Sequence, residues 1–196
     1  GVREINQWAG EAGESDDPML IDQIRTKILP RRGIQASPDE ILITVGTQQA
    51  LYLVTELLVD SSVAVAVEEP GYPDMRQLLA RRGAPMVYQP LDEEGIVVDE
   101  RLNGCKLVYV TPSHQAPTTV TMSMERRKTL LDKASIRDMV IIEDDFDSES
   151  HYLGNPHAAL KSIDNQDRVI SVACLSRVLS PGLRLPLVNC ACTRVP

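Results

Sequence analysis

Short apolar runs alternate with helical stretches along most of this chain. Seven runs have the length and composition of strands buried in a sheet; they cover residues 41–45, 63–67, 86–89, 107–110, 140–142, 169–173 and 183–192. Apolar residues at helical spacing predict helices over residues 19–31, from the turn at 46–49 to about 58, over about 72–82 and over about 123–134. This alternation predicts an α/β fold, a three-layer sandwich in which helices cover both faces of a mostly parallel sheet of about seven strands.

Polar segments follow several of these strands, where a parallel sheet places its ligands. They are residues 46–49, 68–72, 111–119, 143–148 and 174–184. The glycine, hydroxyl and amide residues of 46–49 stand at a strand-to-helix turn, and the free N–H groups of a helix start bind phosphate. The alternative for this turn is an ordinary helix cap formed by Thr47.

An aromatic ring and an imidazole stand in two of these segments. Tyr72 follows a strand and a Pro-Gly turn, so its ring would either stack on a flat heteroaromatic ligand or cap the core. His114 stands in a loop that two prolines restrain. For His114, a hydrogen-bonded loop residue is the alternative to a catalytic one.

Acids and cations mark the last two segments. Glu143, Asp144 and Asp145 follow a strand that should be buried on both faces, so at least one of them needs a cation or a strong donor. A protonated pyridine nitrogen would serve. Residues 174–184 place hydroxyl groups and two cations around a Pro-Gly turn, an arrangement that suits a phosphate.

Composition narrows the class of protein. Of the 196 residues 43% are hydrophobic and 4% aromatic, which predicts one aliphatic core. The net charge of -8 and the lack of a basic stripe argue against a duplex-binding surface, and the basic clusters at 81–82 and 126–128 are interpreted as solvated helix faces. The cysteines have no metal-site spacing and are expected to be buried free thiols in a reducing cytoplasm; they are Cys105, Cys174, Cys190 and Cys192.

The order and spacing of five blocks carry a more specific signal. The blocks read EILITVGTQQAL, VAVEEPGYPDMR, LVYVTPSHQAPTTVTMSMERR, VIIEDDFDSESHYLG and LSRVLSPGLRLPLV. They resemble consecutive blocks of the MocR branch of GntR-type transcription regulators, over about residues 18–195. That branch joins a winged-helix DNA-binding domain to a domain with the fold of type I aminotransferases, which bind pyridoxal 5'-phosphate.

The resemblance implies a phosphate subsite and a ring subsite for this cofactor. The residues implied near the phosphate are Thr47, Gln48, Gln49, Cys174, Ser176 and Arg184. Tyr72 would stack on the pyridine ring, and Asp144 would pair with its nitrogen. His114 and Gln115 would line the pocket near the phenolic oxygen of the ring.

The chain departs from the family at the residues that matter most for chemistry. Arg177 stands where the family has the lysine that forms the Schiff base, and a guanidinium keeps its proton and does not attack an aldehyde. Phe146 replaces a tyrosine that donates to the phenolic oxygen. Ala116, Thr119 and Pro186 also differ from the family pattern. The cofactor is therefore expected to be bound non-covalently or to have been lost.

Three functions remain open at this point. The favoured one is a sensory domain of a transcription regulator that binds an effector or a phosphate anion without turnover. The others are an aminotransferase-type enzyme and a structural or dimerisation remnant. We expect an N-terminal arm over 1–18 and the aminotransferase-like large domain over 19–196, with the winged helix and the small C-terminal domain absent. Further expectations are a homodimeric full-length protein, DNA contact only through the winged helix, and no membrane association.

Overall fold

The computed structural model describes residues 16–145 and 158–174, together with the strand backbone of 186–189. The described part begins with helix α1 (Pro18–Gln23), whose N-terminus is capped by the Asp17 carboxylate, which accepts from Met19 N at 2.7 Å. The helical winding then changes, to a π-helix over Ile24–Ile28 and a 3-10 helix over Leu29–Arg32. The helix expected over 19–31 is therefore present but is not uniform. Gly33 ends it in the left-handed conformation, at φ 73°.

Within the described residues, eight strands form one sheet in the order β1-β8-β7-β6-β5-β2-β3-β4. Their bounds are β1 Ile41–Ile43, β2 Val65–Glu69, β3 Met86–Asp92, β4 Gly95–Ile96, β5 Leu107–Val110, β6 Val140–Asp145, β7 Val169–Cys174 and β8 Pro186–Asn189. Strands β3, β2, β5, β6 and β7 are parallel, whereas β8 runs antiparallel to both β7 and β1. The mostly parallel sheet is confirmed. All seven expected strands are present, and the eighth is the two-residue β4, which pairs with β3.

Helices cover both faces of the sheet, as expected. They are α2 (Thr47–Leu58), α3 (Pro73–Arg81) and α4 (Met124–Arg137). Alternate residues of β2 serve different cores: Val65 and Val67 belong to the core that includes α2 and α3, and Ala66 belongs to the core that includes α4. In the part of the chain that the structure describes, no helix is both long enough and apolar enough to cross a membrane.

The parallel register brings the ends of the strands to one edge of the sheet. Val110 of β5 lies beside Glu143 of β6, and Asp145 lies beside Ala173 of β7. Strand β1 runs in the same direction as β7, because both are antiparallel to β8. The segments that follow β1, β2, β5, β6 and β7 therefore start from a common edge, which we call the carboxyl edge.

Candidate functional site

Three consecutive carboxylates end strand β6 at the carboxyl edge, and all three are buried. Glu143 accepts hydrogen bonds from Leu160 N at 2.6 Å and Lys161 N at 2.9 Å. Burial and the charge of Asp145 raise the pKa of Glu143 to about 7. Glu143 thus anchors the chain at residues 160–161, and strand alternation places it on the face of β6 opposite Asp144.

The other two carboxylates have different partners. Asp145 forms an ion pair with Arg32, at 2.5 Å between Oδ2 and Nη2. Asp144 Oδ2 accepts a hydrogen bond from the Tyr109 hydroxyl at 2.7 Å. The sequence predicted that this acidic run would need a cation, and the structure supplies Arg32 for Asp145, from 113 residues earlier in the chain. Asp144, the residue expected to pair with a pyridine nitrogen, is thus held by the Tyr109 hydroxyl.

Asp144 lies close to two tyrosines. Burial, followed by the charge of Asp144, raises the pKa of Tyr109 well above its ordinary value. Burial and a hydrogen bond to Asp74 raise the pKa of Tyr72, and the charge of Asp144 contributes as well. A buried carboxylate flanked by aromatic rings favours a cationic, flat ligand such as a protonated pyridine.

The Tyr72 ring contacts the core, and its hydroxyl contacts residues beside the start of α2. Its ring packs against the core that includes α2 and α3, and it is the residue that precedes α3. Its hydroxyl accepts from Gln48 Nε2 at 2.6 Å and donates to Asp74 at 3.0 Å. Gln48 also donates to Asp74 at 2.9 Å. This triad fixes the tyrosine beside the start of α2, so the ring and the helix start belong to one site.

The start of α2 has the geometry of an anion site. Gly46 is the N-cap, at φ 89°, and as a glycine it has no side chain to cap the helix. The alternative that Thr47 forms an ordinary cap is wrong, because Thr47 is already the first helical residue. The Gln49 side chain accepts from Val45 N in the preceding turn. A Cβ on Gly46 would meet no atom within 4 Å, so the space beside the helix start is open.

The loop after β5 is tied to the loop after β2 through Glu68. This buried carboxylate accepts from Thr111 Oγ1 at 2.6 Å and from Gln115 Nε2 at 3.1 Å, and burial raises its pKa. Gln115 also donates to Pro70 O at 2.9 Å and accepts from Thr118 N at 2.9 Å. Both ends of the Gln115 amide are thus used inside the protein, whereas the neighbouring His114 is half-buried.

The remaining expected site residues are divided between the edge and the undescribed part of the chain. Cys174 is the last residue of β7, half-buried, two positions beyond the pair formed by Asp144 and Val172. The structure therefore brings the start of α2, Tyr72, Asp144 and Cys174 to the carboxyl edge. Four expected residues lie outside the described residues; they are Phe146, Ser176, Arg177 and Arg184.

The basic cluster at 126–128 was interpreted wrongly. Arg127 is 1% exposed, and its guanidinium donates to three backbone carbonyls, of Met122 at 3.1 Å, Ala158 at 3.0 Å and Pro112 at 2.9 Å. Sequence reasoning also missed Arg32, Glu68 and Tyr109. Of these three, only Tyr109 could have been found from the sequence. Strand alternation places its side chain on the face of β5 opposite those of Val108 and Val110.

A Schiff base with an aldehyde needs a lysine amine, so the positions of the lysines are important. All five lysines of the chain lie in the described part. Lys161 is buried, and its ammonium group lies 3.5 Å from Asp164 and 3.8 Å from Asp167. Asp164 in turn accepts from Val169 N at the start of β7, opposite the carboxyl edge. The other four are exposed or half-buried on helical segments or ahead of β5; they are Lys27, Lys106, Lys128 and Lys133.

The site chemistry can be tested against a phosphorylated pyridine. A pyridinium needs a buried carboxylate, its ring needs a flat partner, and its phosphate needs free N–H groups. Asp144, Tyr72 and the start of α2 match these needs in that order, and hydrogen bonds or charge connect each to the next. The described residues therefore fit pyridoxal 5'-phosphate.

This fold and this arrangement of groups define the class of the fold type I aminotransferases. A family model for aminotransferase class I and II matches residues 8–146. The match covers more than half of the chain, which therefore belongs to this family.

The curated relatives of this chain include both transcription regulators and enzymes. The chain is 40% identical over 185 residues to the HTH-type transcriptional regulator TauR of Rhodobacter capsulatus, covering 94% of this chain and 38% of that protein. It is 34% identical to the probable rhizopine catabolism regulatory protein MocR of Rhizobium meliloti, covering 87% of this chain and 35% of that one. It is 36% identical to aromatic-amino-acid aminotransferase 1 of Thermococcus litoralis, covering 79% and 40%. The resemblance to MocR-type regulators is confirmed.

Solved structures agree on the fold. An archaeal alanine:glyoxylate aminotransferase superimposes with a TM-score of 0.83 at 33% identity, covering 95% of this chain and 50% of that one. Pyrococcus horikoshii kynurenine aminotransferase superimposes with a TM-score of 0.80 at 31% identity, also covering 95% and 50%. The chain thus spans half or less of the length of these relatives.

Proposed function

We propose that this chain is the effector-sensing, aminotransferase-like part of a MocR-type transcription regulator, which binds pyridoxal 5'-phosphate or a related anion without turnover. The regulator relatives support the sensory role, and the groups at the carboxyl edge support the ligand class. DNA contact belongs, in this proposal, to a winged-helix domain of the full-length protein, which would act as a homodimer. The chain's net charge of -8 is consistent with DNA contact lying elsewhere.

The observation that carries this proposal is the placement of the lysines. By the family resemblance, Arg177 would stand at the Schiff-base position, where a guanidinium cannot replace an amine. Lys161 is the buried lysine, and two carboxylates hold its ammonium group away from the carboxyl edge. These facts support non-covalent binding, because no lysine is positioned to take over.

Each residue of the site has a distinct part in the proposed binding. The start of α2, Ser176 and Arg184 would hold the phosphate, and Arg177 would add a second cation there. Tyr72 would stack on the ring, and Asp144 would keep the pyridine nitrogen protonated. Cys174 would lie near the phosphate. In the enzymes, this cofactor supplies an electron sink for carbanions; here, the side chains bind and orient it.

Borohydride reduction tests the absence of a covalent link. We expect the intact mass of the chain to stay unchanged after incubation with a small excess of pyridoxal 5'-phosphate and reduction. The reason is that an imine to a lysine is trapped, whereas a cofactor held by its phosphate is washed away. The Arg177→Lys variant is the matched positive control, although Phe146 would still weaken its ring subsite. A stoichiometric adduct on one lysine of the unmodified chain would contradict the proposal and favour the enzyme alternative, which the aminotransferase relatives keep open.

Arg184→Ala tests the phosphate subsite. We expect the affinity for pyridoxal 5'-phosphate to fall by an amount corresponding to about 1.5–3 kcal/mol, because a charge-assisted contact to a tetrahedral anion is lost. Calorimetric titration of both proteins with the cofactor and with inorganic phosphate measures this. Arg81→Ala, at an exposed position of α3, is the control and should bind as the unmodified chain does. If Arg184→Ala binds equally well, this arginine is not in the pocket.

A further inference from the structure

Arg32 joins three separate parts of the chain at the carboxyl edge. Its Nη2 lies 2.5 Å from Asp145 Oδ2 and donates to Ser113 Oγ at 2.8 Å. All three side chains are buried. One nitrogen therefore holds the end of β6 and the loop after β5 at the same time.

Arg32 also belongs to the first segment of the fold. It closes the 3-10 turn Leu29–Arg32, and its carbonyl accepts from Ala159 N at 3.1 Å. Residues 18–34 pack as a unit, through an apolar cluster of Ile21, Ile24, Leu29, Ile34, Ile41 and Ala159. The position of Arg32 is therefore set by packing outside the site.

We infer that Arg32 is a positioning residue of the ligand site: it holds Asp144 and the 111–115 loop in place and links them to the packing of residues 18–34. The identity of the ligand in this inference rests on the proposed function. The link between Arg32, Asp144 and the 111–115 loop does not.

Asp144 lies between two anchored neighbours, which is the physical basis of the inference. On one side Glu143 is held by the backbone N–H groups of Leu160 and Lys161. On the other side Asp145 is held by Arg32. Breaking a buried ion pair by removing one partner leaves the other charge uncompensated. Asp145 would then move toward other donors and shift the Asp144 backbone with it.

Hydrogen exchange tests the link without any ligand. In Arg32→Gln we expect faster amide exchange both in β6 (Val140–Asp145) and at residues 111–115, compared with Arg31→Gln. Arg31 is the adjacent exposed arginine, so the control removes the same charge without breaking the buried contact. Ser113→Ala, which removes one contact of Arg32, should loosen residues 111–115 and leave β6 protected. Equal exchange in Arg32→Gln and Arg31→Gln would overturn the inference, whether or not the chain binds the cofactor.

Binding of two probes separates positioning from a general loss of structure. Pyridoxamine 5'-phosphate contacts ring and phosphate subsites and forms no imine, whereas inorganic phosphate reports the phosphate subsite alone. In Arg32→Gln we expect the affinity for pyridoxamine 5'-phosphate to fall about tenfold. At metal sites, losing a residue that orients a ligand has an effect of about this size. Phosphate affinity should stay unchanged, and Arg32→Lys should recover part of the loss. An equal loss for both probes would overturn the positioning role. If the unmodified chain binds neither probe, the proposed function fails and the exchange experiment decides the link.

Discussion

Replacing Arg127 by alanine is expected to destabilise the chain by about 3 kcal/mol, since each buried hydrogen-bond acceptor that loses its donor costs about 1–3 kcal/mol. The guanidinium is buried and donates to the carbonyls of Met122, Ala158 and Pro112, of which the last also accepts from Met122 N. Burial lowers the pKa of Arg127, while the charges of Glu143 and Asp145 raise it. Urea unfolding followed by circular dichroism measures the effect.

The neighbouring position provides the control for this measurement. Lys128 is exposed on the same helix, α4, and Lys128→Ala should change the free energy of unfolding by no more than about 0.5 kcal/mol. Arg127→Lys should fall between the two, because one ammonium cannot reach three carbonyls. A loss in Arg127→Ala as small as that in Lys128→Ala would mean that the carbonyls find water or other donors.

The sequence predicted the sheet well because burial on both faces leaves a clear pattern. Parallel strands are apolar through most of their length, as in β5 and in Val65–Val67 of β2, and helices with apolar stripes separate them. The two residues of β4 carry no such pattern, since Gly95 and Ile96 pair with β3 through a tight turn. The change of winding after Gln23 is likewise invisible in helical spacing.

The candidate site was only partly predictable, because some of its contacts join residues that are far apart in the sequence. Tyr72 follows a strand and Asp144 lies at the end of one, so the sheet alone places them at one edge. Arg32 and Arg127 are buried charges whose partners lie far away in sequence or are backbone atoms. Nothing in the local sequence distinguishes them from surface arginines, and the cluster at 126–128 was misread for this reason. Gln115 was expected to line the pocket, and only the structure reveals its contacts with Glu68 and Pro70.

The buried contacts suggest why a domain without turnover would keep this site. Glu143, Asp145 and Glu68 each join the carboxyl edge to a different part of the chain. A ligand that binds Asp144 and the start of α2 would favour the conformation in which these contacts are made. Under the proposed function, such a shift in population is sufficient for signalling, because a sensor requires differential binding and not chemistry.

The free energy of unfolding should depend on pH through the ionisation of Glu143. Burial and the charge of Asp145 raise the pKa of Glu143 from 4.5 to about 7 in the folded chain. The folded state then holds the proton more tightly than the unfolded state. The stabilisation is complete below about pH 4.5 and is lost as the pH rises through about 7. The full difference corresponds to about 3 kcal/mol.

Glu143→Gln should remove this dependence, since an amide is neutral at every pH. We expect the free energy of unfolding of the unmodified chain to fall relative to that of the variant between pH 5 and pH 8, measured by urea titration at several pH values. Ser171→Ala is the matched control, because Ser171 is the buried β7 residue paired with Glu143 and does not titrate. Its effect should be the same at each pH. Parallel curves for the unmodified chain and Glu143→Gln would show that Glu143 stays ionised in the fold, held by the N–H groups of Leu160 and Lys161.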